Sequence, residues 1–415
     1  MRISLLIIPG LLWAGGGPAT ARAQVRAAGM AGAYTAVAAG AQAASWNPAN
    51  LALYPDRGIE LFSLTGAVGN DSYSLSDYRR FNGAYWGESE KQEILSRIES
   101  ETIGVDLAAD VTAAGLALGG WAFSTTSHAT SRLALPKEYL RLVLYGNAVG
   151  ETFRLDGAAG DAVAYSEFRF SAAQRLAALV PAARSLPGAW SAGVSLKLLQ
   201  GWAYGEIQEA SGGVTTTTDA INGAGELRSL LAQGGSGYAL DLGLAGALGG
   251  GWTAGFAARD IAATIHWDRG VEERIDSFVV DGLTLDEISD ETVRDESVTI
   301  SRPQARLRLP VTYALGVARH AGRLLAAASL EIGSHDGWGA RRSPRFSAGL
   351  EWTPWGFLAL RTGLALGGLD ESSAAVGSGF AVGRVRIDLA IQSWGTLNLF
   401  DSRGLGGGLG IGIVL

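Results

Sequence analysis

The chain has 415 residues, of which 47% are hydrophobic and only 18% charged, and its formal net charge is −7. This balance argues against nucleic-acid binding, which requires a basic surface. There is no cysteine, so disulfides, thiolate zinc sites and cysteine nucleophiles are excluded. The 59 glycines are spread along the chain, which fits neither a collagen repeat nor a flexible linker.

The first 23 residues have the pattern of an export signal. Arg2 is the positive start, residues 3–14 are apolar, and Ala21-Arg22-Ala23 is a small-x-small cleavage site with Gln24 as the expected mature start. The alternative is an N-terminal membrane anchor, but the apolar stretch is short for a span. No later apolar run reaches 18 residues. The membrane architecture left open for an exported chain of this kind is a closed β-barrel.

The next stretch is unusually rich in small residues. Residues 27–44 are mostly alanine and glycine, and they precede Ser-Trp-Asn-Pro-Ala-Asn at residues 45–50. Asn47-Pro48 predicts a turn because the residue before proline is pushed out of the helical region.

Four segments interrupt the later strand pattern. Residues 88–100 have helical spacing of apolar residues and predict a short helix in a long loop, whereas residues 135–155 could begin as a helix and end as a strand. Residues 211–226 predict a polar loop. Residues 268–296 carry eleven acidic residues and three arginines, which favours a solvated extracellular loop. A cation site is the alternative there, although EF-hand spacing is missing.

Many segments alternate apolar and polar residues, as half-buried strands do. The clearest cover residues 190–198, 345–352, 358–366 and 385–392. Their length of 8 to 12 residues suits tilted membrane-crossing strands, and we count about fourteen between residue 59 and residue 415. Tight turns are expected at residues 249–251, 353–355 and Gly383-Arg384, the last because the apolar phase fits a two-residue hairpin.

The tryptophans at the strand ends and the charges on the polar faces each predict a location in the barrel. Seven tryptophans at strand ends predict interfacial girdles: Trp190, Trp202, Trp252, Trp267, Trp352, Trp355 and Trp394. The polar faces carry charges that we expect to line the lumen, either as ion pairs that fill it or as a polar pathway or a site for a ligand's acidic head: Lys197, Asp241, Arg259, Glu331, Arg345, Glu351, Arg361, Arg386 and Asp388.

The sequence contains no recognisable catalytic constellation. The four histidines (His128, His266, His320 and His335) lack metal-binding spacing and are interpreted as rim or loop residues. Neither a nucleophile elbow nor a phosphate-binding loop occurs. We therefore predict no catalytic residue, no metal, no cofactor and no enzymatic activity.

The two ends of the predicted mature chain resemble the FadL-type outer-membrane transporter superfamily, including its PorV-like branch. Gly29-Met30-Ala31-Gly32-Ala33 followed by Asn47-Pro48-Ala49 is similar to the family's N-terminal motif, with Ala31 in place of a glycine. The alternating C-terminal strand, residues 407–415, resembles the assembly signal of outer-membrane barrels, with Leu415 in place of the usual aromatic.

The resemblance implies an all-β fold: a transmembrane antiparallel barrel of about 14 strands with a small N-terminal plug in its lumen. The chain would divide into a signal peptide (residues 1–23), a hatch segment (residues 24–55) and the barrel (residues 56–415) in a bacterial outer membrane. The alternative is that the N-terminal motif merely starts the first strand.

The same resemblance implies passive uptake of small hydrophobic molecules, with Trp46, Asn47, Pro48 and Ala49 as the gate. A PorV-like role in protein secretion or surface attachment is the alternative, and a structural barrel without transport is a third. The expected partners are accordingly outer-membrane lipid, a small hydrophobic ligand or secretion-system proteins, and no nucleic acid.

Overall fold

The computed structural model describes residues 24–415 except residues 147, 155, 285–292, 339, 369 and 370. The predicted signal peptide and its cleavage site lie outside the described residues. The strands are β1 (Arg57–Asn70), β2 (Thr102–Leu118), β3 (Trp121–Pro136), β4 (Thr152–Arg154), β5 (Ala159–Arg175), β6 (Ala189–Thr216), β7 (Ile221–Gly249), β8 (Trp252–Trp267), β9 (Glu272–Leu283), β10 (Val293–Ser301), β11 (Ala305–Arg308), β12 (Thr312–Ala321), β13 (Leu324–Gly333), β14 (Arg345–Trp355), β15 (Leu358–Gly367), β16 (Ser372–Val382), β17 (Val385–Trp394) and β18 (Gly404–Val414).

The helices are short and lie before or between strands. They are α1 (Val25–Ala28), α2 (Ala43–Trp46), α3 (Asn50–Leu53), α4 (Leu75–Phe81), α5 (Glu88–Ser96), α6 (Lys137–Tyr145) and α7 (Leu176–Leu179), with 3₁₀ turns at Gly40–Gln42, Pro181–Ser185 and Leu399–Asp401. None of the helices in the described part of the chain is long and apolar enough to cross a membrane.

Fourteen antiparallel strands form the wall of a closed barrel. Closure is made by β1 and β18, which pair from Gly58–Val414 to Gly69–Gly404. β11 and β12 act as one wall strand because both pair with β8, whereas β4, β9 and β10 pair only with extensions of β6 and β7 or with each other. The predicted fold class is confirmed.

The two ends of the barrel differ in their connections. At one end, five connections have only two residues each, and the first and last wall strands begin and end there. The connections at the other end are mostly longer and carry α4, α5 and α6. Because outer-membrane barrels have short periplasmic turns and long outer loops, we call these ends periplasmic and extracellular. Val382 pairs with Val385, which confirms the predicted hairpin at Gly383-Arg384.

Successive residues of the wall strands alternate between an apolar outer face and a polar inner face. In β14, Phe346, Leu350 and Trp352 are 44–58% exposed, whereas Arg345 and Glu351 are at most 7% exposed. The same alternation continues in β15 and β6. A belt of exposed apolar side chains around a closed wall is the arrangement that a lipid bilayer stabilises.

Two of the predicted girdle tryptophans are buried and do not face the lipid. Trp267 is fully buried and Trp394 is 4% exposed. Trp267 stacks on Tyr204, and Trp394 packs over Gly406, where a side chain would clash with its ring. The girdle prediction was wrong for both, because strand-end position alone does not decide which face a residue occupies.

Several loop and turn predictions also need correction. Residues 211–226 are not an irregular loop, because β6 and β7 continue through them as a hairpin. In the acidic segment, residues 272–283 form β9 and residues 293–296 begin β10; β9 pairs with both β10 and β7. Residues 353–355 lie in β14 at a bulge, and the turn falls at Gly356 and Phe357; a bulge is one of the few places where a strand accepts proline. Helix α5 confirms the helix predicted in residues 88–100, and α6 followed by β4 confirms the mixed prediction for residues 135–155.

Candidate functional site

Residues 24–54 of the hatch segment occupy the lumen. Most of them are buried and the rest are partly buried; Met30, Ala38 and Asn47 have no exposed surface. They form α1, α2, α3 and a 3₁₀ turn, each too short to be stable alone. Their stability must therefore come from packing against the barrel wall.

The wall meets this segment with glycines. A Cβ added at any of six inward-facing glycines would lie within 3.0 Å of an atom of the hatch segment, so real side chains are excluded there. We call this group the glycine belt: Gly193, Gly243, Gly255, Gly316, Gly349 and Gly363. They form three cross-strand pairs, Gly193–Gly243, Gly255–Gly316 and Gly349–Gly363. The belt lets the hatch backbone lie directly against the wall backbone.

The Asn-Pro turn is fixed by hydrogen bonds at both ends. The Asn47 Oδ1 atom accepts from the Ala49 N–H at 3.1 Å, and its Nδ2 donates to the Leu244 carbonyl of β7 at 3.0 Å. Asn50 Nδ2 donates to the carbonyls of Thr35 and Ala38, both at 3.1 Å. The motif thus holds the segment together and ties it to the wall.

Aromatic and ionic contacts add further ties. The Trp46 ring meets Tyr34 edge-on at 5.5 Å, and the guanidinium of Arg259 lies 5.4 Å from the Trp46 ring centroid. Arg26 donates to Glu351 of β14 at 2.7 and 2.8 Å. Because Glu351 is almost fully buried, this pair lies in a medium where losing one partner is expensive.

The extracellular half of the lumen contains a cluster of apolar side chains. They converge from β5, β6, β7, β8, β11 and adjoining loop residues. We call them the outer apolar cluster: Val163, Leu199, Tyr204, Ala232, Ala239, Ala263, Ile265, Trp267, Val271, Ala305, Leu307 and Leu309. Trp338, from the loop between β13 and β14, is partly buried and packs against this cluster.

Directly below lies a layer of charged groups, which we call the polar floor: Asp110, His128, Glu167, Arg169, Lys197, Asp241 and Asp260. Lys197 Nζ is 2.5 Å from Asp260 and 2.9 Å from Asp241, and Arg169 is 2.6 Å from Glu167. His128 Nδ1 is 2.6 Å from Asp110. A cavity of about 110 Å³ separates the floor from Leu309, Pro310 and Trp338.

The barrel wall is irregular beside this cavity. Asp260 and Ala262 of β8 have left-handed backbone angles, φ 60° and 56°, which is uncommon for residues other than glycine. The pairing of β8 with its neighbour jumps from Thr264–Arg308 to Arg259–Thr312, and its pairing with β7 shifts twice here. We call residues 260–263 and 309–311 the wall break.

The charges predicted from sequence divide into groups. Lys197 and Asp241 pair in the polar floor, Arg259 and Glu331 pair at 2.6 Å, and Arg361 bridges Glu351 at 2.6 Å and Asp388 at 2.5 Å. The last two are Arg345 and Arg386. Arg345 donates to the Ala31 carbonyl at 3.0 Å, and Arg386 is exposed beside a cavity of about 200 Å³ at the periplasmic end.

Sequence reasoning missed several members of the polar floor. His128 was interpreted as a rim or loop residue, because the alternation of β2 and β3 is blurred by alanine, serine and threonine. Asp260 sits at the wall break, where the two-residue period fails. The available signal was the inward phase of Glu167 and Arg169, which alternate with outward Phe168 and Phe170. Within the described part of the chain, no group of three or more His, Asp or Glu side chains could hold a metal ion.

Comparison with known proteins gives a family and a fold. Residues 56–391 match the family model described as "Family of unknown function (DUF5723)". A search of curated proteins finds no match. Among solved structures, a FadL homologue from Pseudomonas aeruginosa superposes with a TM-score of 0.57 at 14% identity, covering 96% of this chain and 99% of that one.

Two further solved structures share the fold. The toluene transporter TodX of P. putida has a TM-score of 0.53 at 13% identity, with 96% and 99% of the two chains covered. The toluene transporter TbuX of Ralstonia pickettii has a TM-score of 0.51 at 14% identity, with 97% and 98% covered. The fold of this chain is therefore that of FadL-type barrels, as its terminal motifs predicted.

Proposed function

The chain belongs to the DUF5723 family, whose function is unknown, so we propose a function from its fold and its lumen. The proposed function is passive uptake of small hydrophobic molecules across a bacterial outer membrane, without enzymatic chemistry. The outer apolar cluster carries this proposal. A solvated pore for polar solutes would gain nothing from a dozen apolar side chains at its extracellular side, whereas an apolar solute is stabilised there by leaving water.

The proposed route leads from the outer apolar cluster to the wall break. Ala263 and Leu309 belong to both, so an apolar solute would pass from one to the other along these two residues. Asp260, at the other end of the same stretch of β8, belongs to the polar floor and is paired with Lys197. Residues 260–263 and 309–311 keep few regular ladder bonds; the Leu309 N–H donates to the Ala263 carbonyl at 3.0 Å. Separating two strands costs least where they already share few hydrogen bonds.

In this proposal the hatch segment closes the axial path. Trp46, Asn47, Pro48 and Ala49 seal the middle of the lumen against the glycine belt. Opening this seal would break the Asn47 bonds to Leu244 and Ala49 and expose groups that are now fully buried. Lateral exit through the wall avoids the cost of breaking these hydrogen bonds and exposing these groups. In this proposal the four residues therefore stay in place and block the axial path.

A matched pair of variants tests the uptake function. Leu307→Asn places an amide in the outer apolar cluster, and Leu325→Asn places the same amide beside the hatch segment, where Leu325 packs. In Gram-negative cells carrying equal amounts of folded barrel, we expect Leu307→Asn to slow entry of a lipophilic fluorescent tracer several-fold and Leu325→Asn to leave entry near the wild-type rate. Equal rates for the two variants, or no uptake above cells without the protein, would exclude the function.

A second candidate, partner binding at the cell surface, is favoured by one feature. Extensions of β6 and β7 with β4, β9 and β10 form a sheet beyond the barrel, and β10 is exposed at every residue. Its second half, Ser297–Ser301, carries no charge and alternates Val298 and Ile300 with hydroxyl residues. Exposed edges of this kind accept an added strand, as a PorV-like secretion role would use.

Replacing Val298 with proline separates this candidate from uptake. Proline removes one backbone donor from the edge and resists strand addition. If proteins co-purify with the native barrel and are lost with Val298→Pro while tracer uptake is unchanged, the surface binds a partner independently of transport. If nothing co-purifies with the wild-type barrel, this second role is discarded.

A further inference from the structure

The cavity between the outer apolar cluster and the polar floor has two kinds of wall. Leu309, Pro310 and Trp338 supply apolar surface. The polar side consists of polar-floor residues and Tyr165, together with Thr126, Arg259, Thr312 and, from the hatch segment, Gln24 and Ser45. A volume of about 110 Å³ suits a ligand about the size of one aromatic ring. An unsubstituted hydrocarbon would leave the polar side of this cavity without a hydrogen-bonding partner.

The charged groups of the floor are already occupied by each other. Lys197 is surrounded by Asp260, Asp241 and Glu167 at 2.5 to 3.8 Å. Arg169 pairs with Glu167 and donates to the Ser45 hydroxyl. A ligand carboxylate would have to displace one of these partners, at a cost typical of breaking a buried ion pair.

The charge balance also disfavours an anion. Four carboxylates (Asp110, Glu167, Asp241 and Asp260) face two fixed cations (Arg169 and Lys197) and one imidazole (His128). Arg259 also lines the cavity, but Glu331 lies 2.6 Å from it, and the pair adds no net charge. Even with the imidazole protonated, one negative charge is therefore in excess. Among the described residues that line the cavity, several buried side-chain atoms lack a hydrogen-bond partner: Gln24 Oε1, His128 Nε2, Arg169 Nε and Arg259 Nε. Of these residues, His128 packs against Tyr165, whose hydroxyl makes no hydrogen bond to a described residue, and Glu167 lies 3.6 Å from His128 Nε2.

We infer that this cavity binds a small amphipathic ligand whose single polar group is uncharged, an alcohol or phenol, with its ring against Trp338 and Leu309 and its hydroxyl against Tyr165 and His128. The inference rests on the proposed uptake function and narrows its substrate class. The Tyr165 ring lies 4.9 Å from the His128 ring, at an angle of 30°, so the two residues lie side by side in the cavity lining.

The test uses four probes of one size on the purified full-length barrel in detergent: benzyl alcohol, its near-isostere ethylbenzene, benzoate and benzylamine. Binding is followed through tryptophan fluorescence. Tyr165→Phe removes one hydroxyl and keeps the ring, and Tyr238→Phe, on the exposed outer face of β7, is the matched control. We expect Tyr165→Phe to weaken benzyl alcohol about 3- to 10-fold, the range for one lost hydrogen bond, and to leave ethylbenzene unchanged. Benzoate should bind most weakly.

Each other outcome overturns the inference. Suppose that ethylbenzene and benzyl alcohol both bind, but Tyr165→Phe affects the binding of neither, or of both equally. The cavity then does not recognise the ligand hydroxyl through Tyr165, and this inference fails while the proposed uptake function stands. If benzoate or benzylamine binds more tightly than benzyl alcohol, the ligand class is charged. If none of the four probes binds, the proposed uptake function falls together with it.

Discussion

Glycine 363 illustrates how single residues position the hatch segment. Glycine inside a strand costs backbone entropy and contributes no packing of its own, yet a Cβ at this position would overlap the backbone of Met30. The same applies to its partner Gly349. The high glycine content of the chain therefore has a cause at these positions: the wall must be thin where the hatch segment lies against it.

Alanine substitution tests this reading. Gly363→Ala should destabilise the folded barrel by about 1 to 3 kcal/mol, the usual cost of overpacking, and make residues 24–54 easier to cleave by protease. Gly66→Ala is the control, because the nearest atom to its added Cβ is 3.9 Å away. The stability of both variants is compared by unfolding them in detergent and observing the change in gel migration that heating causes. Equal stability would mean that the hatch segment does not depend on this close contact.

A second residue-scale prediction concerns Glu351, which lies between Arg26 and Arg361. Glu351→Gln leaves two guanidinium groups without their shared carboxylate, and removing one partner of a buried pair costs about 3 to 5 kcal/mol. The comparison is Glu93→Gln, whose pair with Arg80 is largely exposed and should change stability by less than about 1 kcal/mol. Chemical denaturation of the two variants measures the difference. A similar small loss for both would show that the pair does not anchor the hatch segment.

At the scale of elements, sequence periodicity recovered the wall strands wherever large apolar residues alternate with charges. β14, β15 and β17 were predicted nearly to their ends for this reason. Periodicity failed in β2 and β3, where alanine, serine and threonine occupy both faces. It also failed for β6 and β7 beyond the membrane, because a strand stabilised by neighbouring strands needs no apolar face. The polar floor could not be assembled from sequence, since its members come from β2, β3, β5, β6, β7 and β8.

Helix α4 gives an element-scale prediction with a pH dependence. Burial alone would raise the pKa of Asp77, but hydrogen bonds from the Ser74 N–H and hydroxyl, and the charge of Arg97, outweigh burial and lower it. A carboxyl whose pKa is lower in the folded state stabilises the helix at pH values above its unfolded pKa of about 3.9. That stability is lost as the pH falls through the folded-state pKa.

Ser74→Ala should remove part of this effect. It deletes the cap to the Asp77 N–H and the hydroxyl bond to its carboxylate, and the usual cost of a lost N-cap is about 1 kcal/mol. Hydrogen exchange of α4, corrected for intrinsic rates, should be faster in the variant at neutral pH and should change less on acidification. An unchanged acid response would mean that Asp77 is not stabilised through Ser74.

At the scale of the whole molecule, the proposed function keeps the hatch segment fixed and lets solutes leave through the wall. The absence of cysteine makes this arrangement testable by labelling. Ala38→Cys places a thiol at a fully buried hatch position, and Ser76→Cys places one on the exposed surface of α4. A membrane-impermeant maleimide should react with the second variant alone, with or without apolar ligand. Ligand-dependent labelling at position 38 would show that the hatch segment moves.

The most direct measurement is photo-crosslinking during uptake. Cells carrying the barrel are supplied with a small apolar tracer that bears a photoreactive group, and the modified peptides are identified by mass spectrometry. We expect inward-facing labels in residues 260–267 and 305–311, the wall break and the apolar cluster beside it. Labels within residues 24–54 other than at Gln24 and Ser45, which line the cavity beside the wall break, would contradict a route from the outer apolar cluster through the wall. Labels only on lipid-facing side chains would contradict it too.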